Sequence, residues 1–331
     1  MTRGFLLGKF MPPHQGHLFM CQTAAALVDH LTVLVCTLPD DPVPGPARAA
    51  WMMQLLPHAR IIHFDKVVPQ APADHPDFWP IWQNICQTAH PEPLDFVFGS
   101  EPYVTRLAAC LKTRPVILDA DRLAFPTSAT AIRTDPAAHW AMIPGPVRAY
   151  YQKRIAVVGA ESTGKTTLTA ALATHFGTVY MPEYGRSYDT MQRHIGWQPH
   201  DFQRIATVHT AMRNALAPQA GPLLIEDTDP LQTGIWEQTL LNTDQITTTP
   251  LPLADLYLLL DTGLAWQDDG TRYLGDPVAR EAFQTRLTAQ LTAQNANVIP
   301  ITDTGPARLK TAIAAITFAF PTLSAPQRSV L

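Results

Sequence analysis

The sequence predicts an α/β chain of two doubly wound domains, each built on a parallel sheet. Three observations carry that expectation. Short β-rich runs alternate with amphipathic stretches along the chain, the pattern of a parallel sheet covered on both faces. The pattern restarts near Tyr151–Arg154. Each half also opens with its own phosphate-binding signature at a strand-to-helix junction: Gly8-Lys9-Phe10-Met11-Pro12-Pro13-His14-Gln15-Gly16-His17 in the first, and Gly159-Ala160-Glu161-Ser162-Thr163-Gly164-Lys165-Thr166 in the second.

The elements follow in order. A strand over Gly4–Phe10 runs into the first signature, with a helix starting between His14 and His17. Leu31–Thr37, Arg60–Phe64, Leu94–Gly99 and Pro115–Leu118 are β-rich or apolar runs of strand length. The stretches Ala47–Leu56, Phe78–Ala89 and Pro102–Lys112 between them have helical periodicity, and short amphipathic pieces fill Asp135–Tyr151. After the restart, strands are expected at Arg154–Val158, Thr178–Met181, Leu223–Glu226, Asp255–Asp261 and Asn297–Ile301. Helices are expected at Lys165–Phe176, Tyr184–Arg193, Pro199–Leu216, Val278–Gln294 and Ala307–Phe318. The domains therefore read as 1–152 and 153–331, with a loose tail from about Pro321. A chain of 331 residues comfortably makes two domains, each able to bury a core.

Composition narrows the function classes. With 46% hydrophobic and 16% charged residues the chain reads as soluble and globular. Net charge is −4 and no Lys/Arg block stands out, so nucleic acid is not an expected partner. The first strand begins almost at once, leaving no room for a signal peptide. No apolar run is long enough to span a bilayer. The four cysteines, Cys21, Cys36, Cys86 and Cys110, lie in apolar stretches without a CxxC pair and read as buried thiols in a reducing cytoplasm, not as a zinc site.

The first signature contains HxGH. Placed at the carboxyl end of a strand and the start of a helix, it offers free backbone N–H groups, a positive dipole end and two imidazoles to an anion. His14 and His17 can donate to phosphate oxygens, and Gly16 lets the backbone come close. Gly8, Lys9 and Phe10 belong to the same loop. A second clamp is available in Ser128-Ala129-Thr130-Ala131-Ile132-Arg133, where Ser128 and Thr130 bring hydroxyls to a helix start and Arg133 follows one turn on. Such an arrangement suits attack at an α-phosphorus, for which positioning and charge neutralisation suffice. Trp79 and Trp82 share a helix face and serve either as core aromatics or as a platform for a cationic ring.

The second signature satisfies GxxxxGK[ST]. Its backbone N–H groups, over Gly159, Glu161, Ser162, Thr163 and Gly164 and on into Thr167, would wrap phosphates. Lys165 would reach the β- and γ-oxygens and Thr166 would ligate Mg²⁺. Asp227 ends an apolar strand as a Walker-B-type acid for the same ion, and Asp229 can share that duty. Glu183, one β–α unit after the loop, is the candidate base, with Arg186 placed to steady the transferring phosphoryl. Trp266 to Arg280, with Gly270, Arg272 and Gly275, reads as a lid that keeps water from the γ-phosphoryl.

GKFMPPHQGH, the later SATAIR, Asp77-Phe78-Trp79…Trp82, Gly99-Ser100-Glu101 and Asp119-Ala120-Asp121-Arg122 resemble the adenylyltransferase half of the NadR family. The P-loop, Glu183-Tyr184-Gly185-Arg186, Asp227-Thr228-Asp229 and Trp266…Asp269-Gly270-Thr271-Arg272 resemble its ribosylnicotinamide-kinase half. Together they run from about Gly4 to Arg280. The resemblance implies that ATP phosphorylates nicotinamide riboside, and that a second ATP adenylylates nicotinamide mononucleotide to NAD. It implies that His14, His17, Arg133 and Lys9 hold one ATP. It also implies that Tyr184, Trp266 and Asp269 belong to the riboside site, with Trp266 stacking on the ring. Some members carry an N-terminal helix-turn-helix, for which Gly8 comes too early, so a transcriptional role is not expected. Two alternatives stay open: one half catalytic and the other regulatory, and a coenzyme A synthase-like pair. A homo-oligomer is neither required nor excluded.

Overall fold

The computed structural model describes residues 1–323 apart from 193, 194, 250, 269 and 271. It divides into two compact units, Met1–Val147 and Arg148–Leu331. The division falls inside the helix Gly145–Tyr151, whose later residues hydrogen-bond within the second unit: Arg148 Nη1 donates to Pro218 O at 3.1 Å.

The first unit runs β1 (Arg3–Gly8), α1 (Gln15–Leu27), β2 (His30–Cys36), α2 (Gly45–Leu55), β3 (Arg60–Phe64), α3 (Phe78–Ala89), β4 (Phe96–Gly99), α4 (Tyr103–Leu111), β5 (Arg114–Ile117), α5 (Ala129–Thr134), and ends in α6 (Gly145–Tyr151). Its five strands lie in the order β3-β2-β1-β4-β5, all parallel. The central strands are apolar on both faces because helices cover both: Phe5, Leu6, Val33, Leu34 and Val35 are fully buried. Each such side chain contributes about 1.5–3 kcal/mol. Pro115 sits in β5, an edge strand, where a missing N–H is tolerated.

The second unit continues with β6 (Lys153–Val158), α7 (Lys165–His175), β7 (Tyr180–Met181), α8 (Tyr184–Gln192), α9 (Pro199–Leu216), β8 (Leu223–Asp227), α10 (Pro230–Leu241), β9 (Leu256–Leu260), α11 (Pro277–Ala293), β10 (Val298–Ile301) and α12 (Gly305–Ala319). The sheet order is β10-β9-β6-β8-β7, again parallel. In both units the strand that leads into the phosphate signature is central, so the loop opens at the carboxyl edge where such sheets bind ligands.

Sequence periodicity gives most of these elements to within a few residues, but leaves 230–241 without one. The reason is visible in α10: its buried positions include Gln232, Thr233 and Glu237, so no apolar stripe marks the helix. The expected helix at Tyr184–Arg193 is described as far as Gln192, and Arg193 lies outside the described residues. The tail beyond 323 lies outside them too. Among the described residues no helix is long and apolar enough to cross a membrane.

Candidate active sites

In the first unit a cavity of about 780 Å³ opens at the ends of β1, β4 and β5. It is lined by Gly8, Lys9, Phe10, His14, Gly16 and His17 from the first signature and by Ser128, Thr130 and Arg133 from the second. Trp79 and Trp82 also reach it. Trp82 is otherwise a core residue, buried, with its indole N–H donated to Pro69 O at 2.9 Å, whereas Trp79 is half-buried at the cavity wall. The two phosphate clamps are physically joined. Arg133 Nη1 donates to Met11 O, and Nη2 donates to Thr130 Oγ1 at 3.1 Å. Ser128 caps α5, accepting from Ala131 N–H at 3.1 Å, so its side chain fixes the helix start as well as facing the cavity.

The imidazoles of His14 and His17 pack 3.7 Å apart. Burial and the nearby Arg122 guanidinium lower the His14 pKa to about 4. Burial, then His14 and Arg122, hold His17 well below the usual histidine range. Both rings are therefore neutral at pH 7. Nδ1 of each is buried without a hydrogen-bond partner among the described residues, an arrangement that leaves donors for an incoming anion. Gly16 has a steric role as well. A Cβ there would lie 3.1 Å from the His14 ring, so the glycine makes room for the imidazole.

Two arginines in this unit were not singled out from the sequence as site residues. Arg122 lines the cavity and bears on both histidines. Arg48 is fully buried, donating to Lys9 O at 2.7 Å and to Asp41 Oδ2 at 2.5 Å, and so pins the loop that carries Lys9.

In the second unit the P-loop wraps the start of α7. Gly159 has φ of +146°, and a Cβ would stand 2.7 Å from Leu260 O. Gly159→Ala is therefore expected to cost about 2–4 kcal/mol, read from the urea transition of this unit. Lys165 Nζ donates to Gly159 O at 3.0 Å and Ala160 O at 2.9 Å. Thr166 Oγ1 donates to Asp227 Oδ2 at 2.6 Å, while Asp227 Oδ1 is buried without a partner among the described residues. Thr163 is fully buried, its hydroxyl closing the loop onto Ala160 O at 2.8 Å. Thr167 lies in the first turn of α7. Arg308 on α12 braces the loop through Thr163 O.

A cavity of about 90 Å³ adjoins this loop, lined among others by Glu161, Ser162, Lys165, Glu183 and Arg186. Burial raises the Glu183 pKa above the ordinary carboxylate range, with Lys165 opposing and Asp227 adding to the shift. Burial likewise raises Asp227. Under the site lies a charged network that the apolar pattern of β8 conceals. Glu226 is fully buried, 2.5 Å from Arg154 Nε and 3.2 Å from His209 Nε2. Burial would raise its pKa, but those two partners leave it below the usual range.

Several expected contacts fall elsewhere. Both Asp229 oxygens accept hydrogen bonds from the fold, one from Gln232 N–H at 3.2 Å and one from the Tyr257 hydroxyl at 2.6 Å. Asp229 thus caps α10. The Glu161 carboxylate turns away from the phosphate loop to accept from the N–H groups of Tyr273 and Leu274 at 2.9–3.1 Å, tying down the lid. Trp266 lies over Gly275 and does not line the cavity. The aromatic walls are Trp197, Phe202, Trp236 and Tyr273 instead. Tyr184 is also absent from that lining, packing toward Tyr188 with ring centroids 6.1 Å apart. Arg272 reaches Ser162 Oγ and Gln267 O, closing the lid onto the P-loop. Asp269 lies outside the described residues.

A family model described as an AAA domain matches residues 154–308. Over 329 residues the chain is 27% identical to the trifunctional NAD biosynthesis/regulator protein NadR of Escherichia coli (strain K12), covering 91% of this chain and 78% of that protein. Across about nine-tenths of its length the chain is similar to NadR proteins. The crystal structure of a NadR protein in complex with NR superposes with a TM-score of 0.77 at 22% identity, covering 100% of this chain and 98% of that one, a likeness of fold. A nicotinamide-nucleotide adenylyltransferase of Halobacterium salinarum (strain ATCC 29341 / DSM 671 / R1) is 28% identical over 127 residues, 37% of this chain and 71% of that protein. Asp189, Trp197, His209 and Trp236 are among the cavity residues that no motif reveals. The one signal available for the buried network was Glu226 itself, a charge inside an apolar strand that must find a partner.

Proposed function

We propose that the chain is a bifunctional, cytoplasmic enzyme of NAD salvage that uses ATP twice. The second unit phosphorylates the 5′-hydroxyl of nicotinamide riboside. The first adenylylates the resulting nicotinamide mononucleotide, giving NAD and pyrophosphate. The observation that carries the reading is that each parallel sheet opens, at the end of its central strand, into its own cavity with its own phosphate loop.

In the kinase step the riboside oxygen attacks the γ-phosphorus, the bond to the β-phosphate oxygen breaks, and the hydroxyl proton passes to Glu183. A carboxylate whose pKa is raised by burial suits that task. Lys165 leaves its two carbonyls for the β- and γ-oxygens, and Arg186 steadies the moving phosphoryl. Thr166 and Asp227 fit a Mg²⁺ ion, since a hydroxyl lies beside a carboxylate whose other oxygen is buried without a partner among the described residues. When bound, that ion supplies charge neutralisation on the phosphates. In the adenylyl step a phosphate oxygen of the mononucleotide attacks the α-phosphorus and pyrophosphate leaves. His14, His17, Lys9 and Arg133 hold the triphosphate, and no protein group need take a proton.

Incubation with nicotinamide riboside, ATP and Mg²⁺, followed by mass-resolved product analysis, tests the assignment. NAD formed through the mononucleotide is the expected course. No consumption of riboside would sink it. Glu183 adds a sharper expectation: because only the ionised form accepts a proton, kinase kcat/KM falls with falling pH at values above the ordinary carboxylate range. Glu183→Gln should remove that limb and lower kcat by about a hundredfold or more. A mutant with the parental pH profile would exclude Glu183 as the base.

A further inference from the structure

We propose that Asp189 selects the ring carried by the riboside, favouring a cationic, carboxamide-bearing pyridinium over one bearing a carboxylate; the inference rests on the kinase reading above. Asp189 lines the kinase cavity and is only 5% exposed. One oxygen accepts from the Tyr273 hydroxyl, so the carboxylate is held in place by the lid. The other, Oδ2, is buried with no hydrogen-bond partner among the described residues. A buried acceptor left open in this way is costly unless a ligand completes it.

Its position fixes which part of the substrate it meets. Glu183 stands just before α8 and Asp189 lies on it, roughly 9 Å of helical rise farther along, and the proposal sets the reacting hydroxyl at the first and the ring at the second. Of the cations that line this cavity, Lys165 and Arg186 act on Glu183 and Asp227, and Arg272 reaches Ser162 Oγ of the P-loop. The Asp189 end is aromatic. Trp197 lines the cavity there, donates its indole N–H to Tyr273 Oη at 3.1 Å and stacks on Phe202 with centroids 5.2 Å apart. An aromatic wall beside a buried carboxylate suits a positively charged ring and an amide N–H. The carboxylate of a nicotinic acid riboside would meet a like charge in a site of low polarity.

The test compares kinase kcat/KM for nicotinamide riboside and nicotinic acid riboside in the full-length protein. Asp189→Asn, of equal size, is expected to lower the amide-to-acid ratio by about tenfold or more, mainly through KM. Asp189→Glu should restore part of it. An unchanged ratio in folded Asp189→Asn overturns the proposal. Tyr273→Phe keeps the carboxylate and removes the hydroxyl that shares its charge, so its ratio should hold or rise. A fall there overturns the proposal even if the Asp189 variants do not fold. A parent protein inactive on both ribosides refutes the kinase reading itself. A parent active on both but without preference refutes only the role of Asp189.

Discussion

Lys165→Ala is expected to lower riboside phosphorylation by about three orders of magnitude while leaving mononucleotide adenylylation within twofold of the parent. The loss is large because Nζ is the flexible charge of the P-loop. In the free protein it rests on Gly159 O and Ala160 O, and on binding it must follow the β- and γ-oxygens. Removing it leaves two carbonyls at the mouth of a cavity, where water can satisfy them, so folding should survive. Every group that lines the adenylylation cavity lies between Leu7 and Arg133, in the other unit. Separate assays with riboside and with mononucleotide therefore read the two sites independently. A folded Lys165→Ala protein that had lost both activities would defeat the two-site reading.

His17→Ala should give the mirror image: adenylylation down about a hundredfold to a thousandfold, phosphorylation unchanged. His17 packs against His14 at 3.7 Å and edge-on to Phe10 at 5.0 Å. Burial keeps both imidazoles neutral, so each offers one N–H to phosphate, and the second ring loses its support when the first is cut away. His17→Gln retains an N–H donor and should lose less. Equal losses in the two variants would mean that His17 acts through packing alone.

How much of this was legible in the sequence depends on whether the information is local. The P-loop and the HxGH turn are contiguous, so their residues, spacing and strand-to-helix setting could be read off directly. The Thr166–Asp227 pair is nearly so, because Asp227 ends an apolar strand and the structure sets it 2.6 Å from Thr166. What stayed hidden is tertiary. Asp189 and Tyr273 meet across 84 positions of chain, and nothing near either residue announces the other. Trp266 carried the ring-stacking expectation because it sits in the lid segment, but Gly275 receives it, and Trp197 from another loop lines the cavity. Asp229 looked like a second acid beside Asp227, and turned out to cap a helix that polar burial had masked from periodicity analysis.

Arg133 and Lys165 share a resting arrangement with a thermodynamic consequence. Arg133 waits on a backbone carbonyl and a threonine hydroxyl, and Lys165 on two backbone carbonyls. These acceptors are neutral. When nucleotide arrives, each cation exchanges ordinary hydrogen bonds for charge-assisted ones, which are roughly twice as strong. A cation parked on a carboxylate would first have to dissolve an ion pair, and part of the nucleotide's binding energy would be cancelled before any was gained. The two cations are thus held by bonds that are easily surrendered, like a latch on a weak spring.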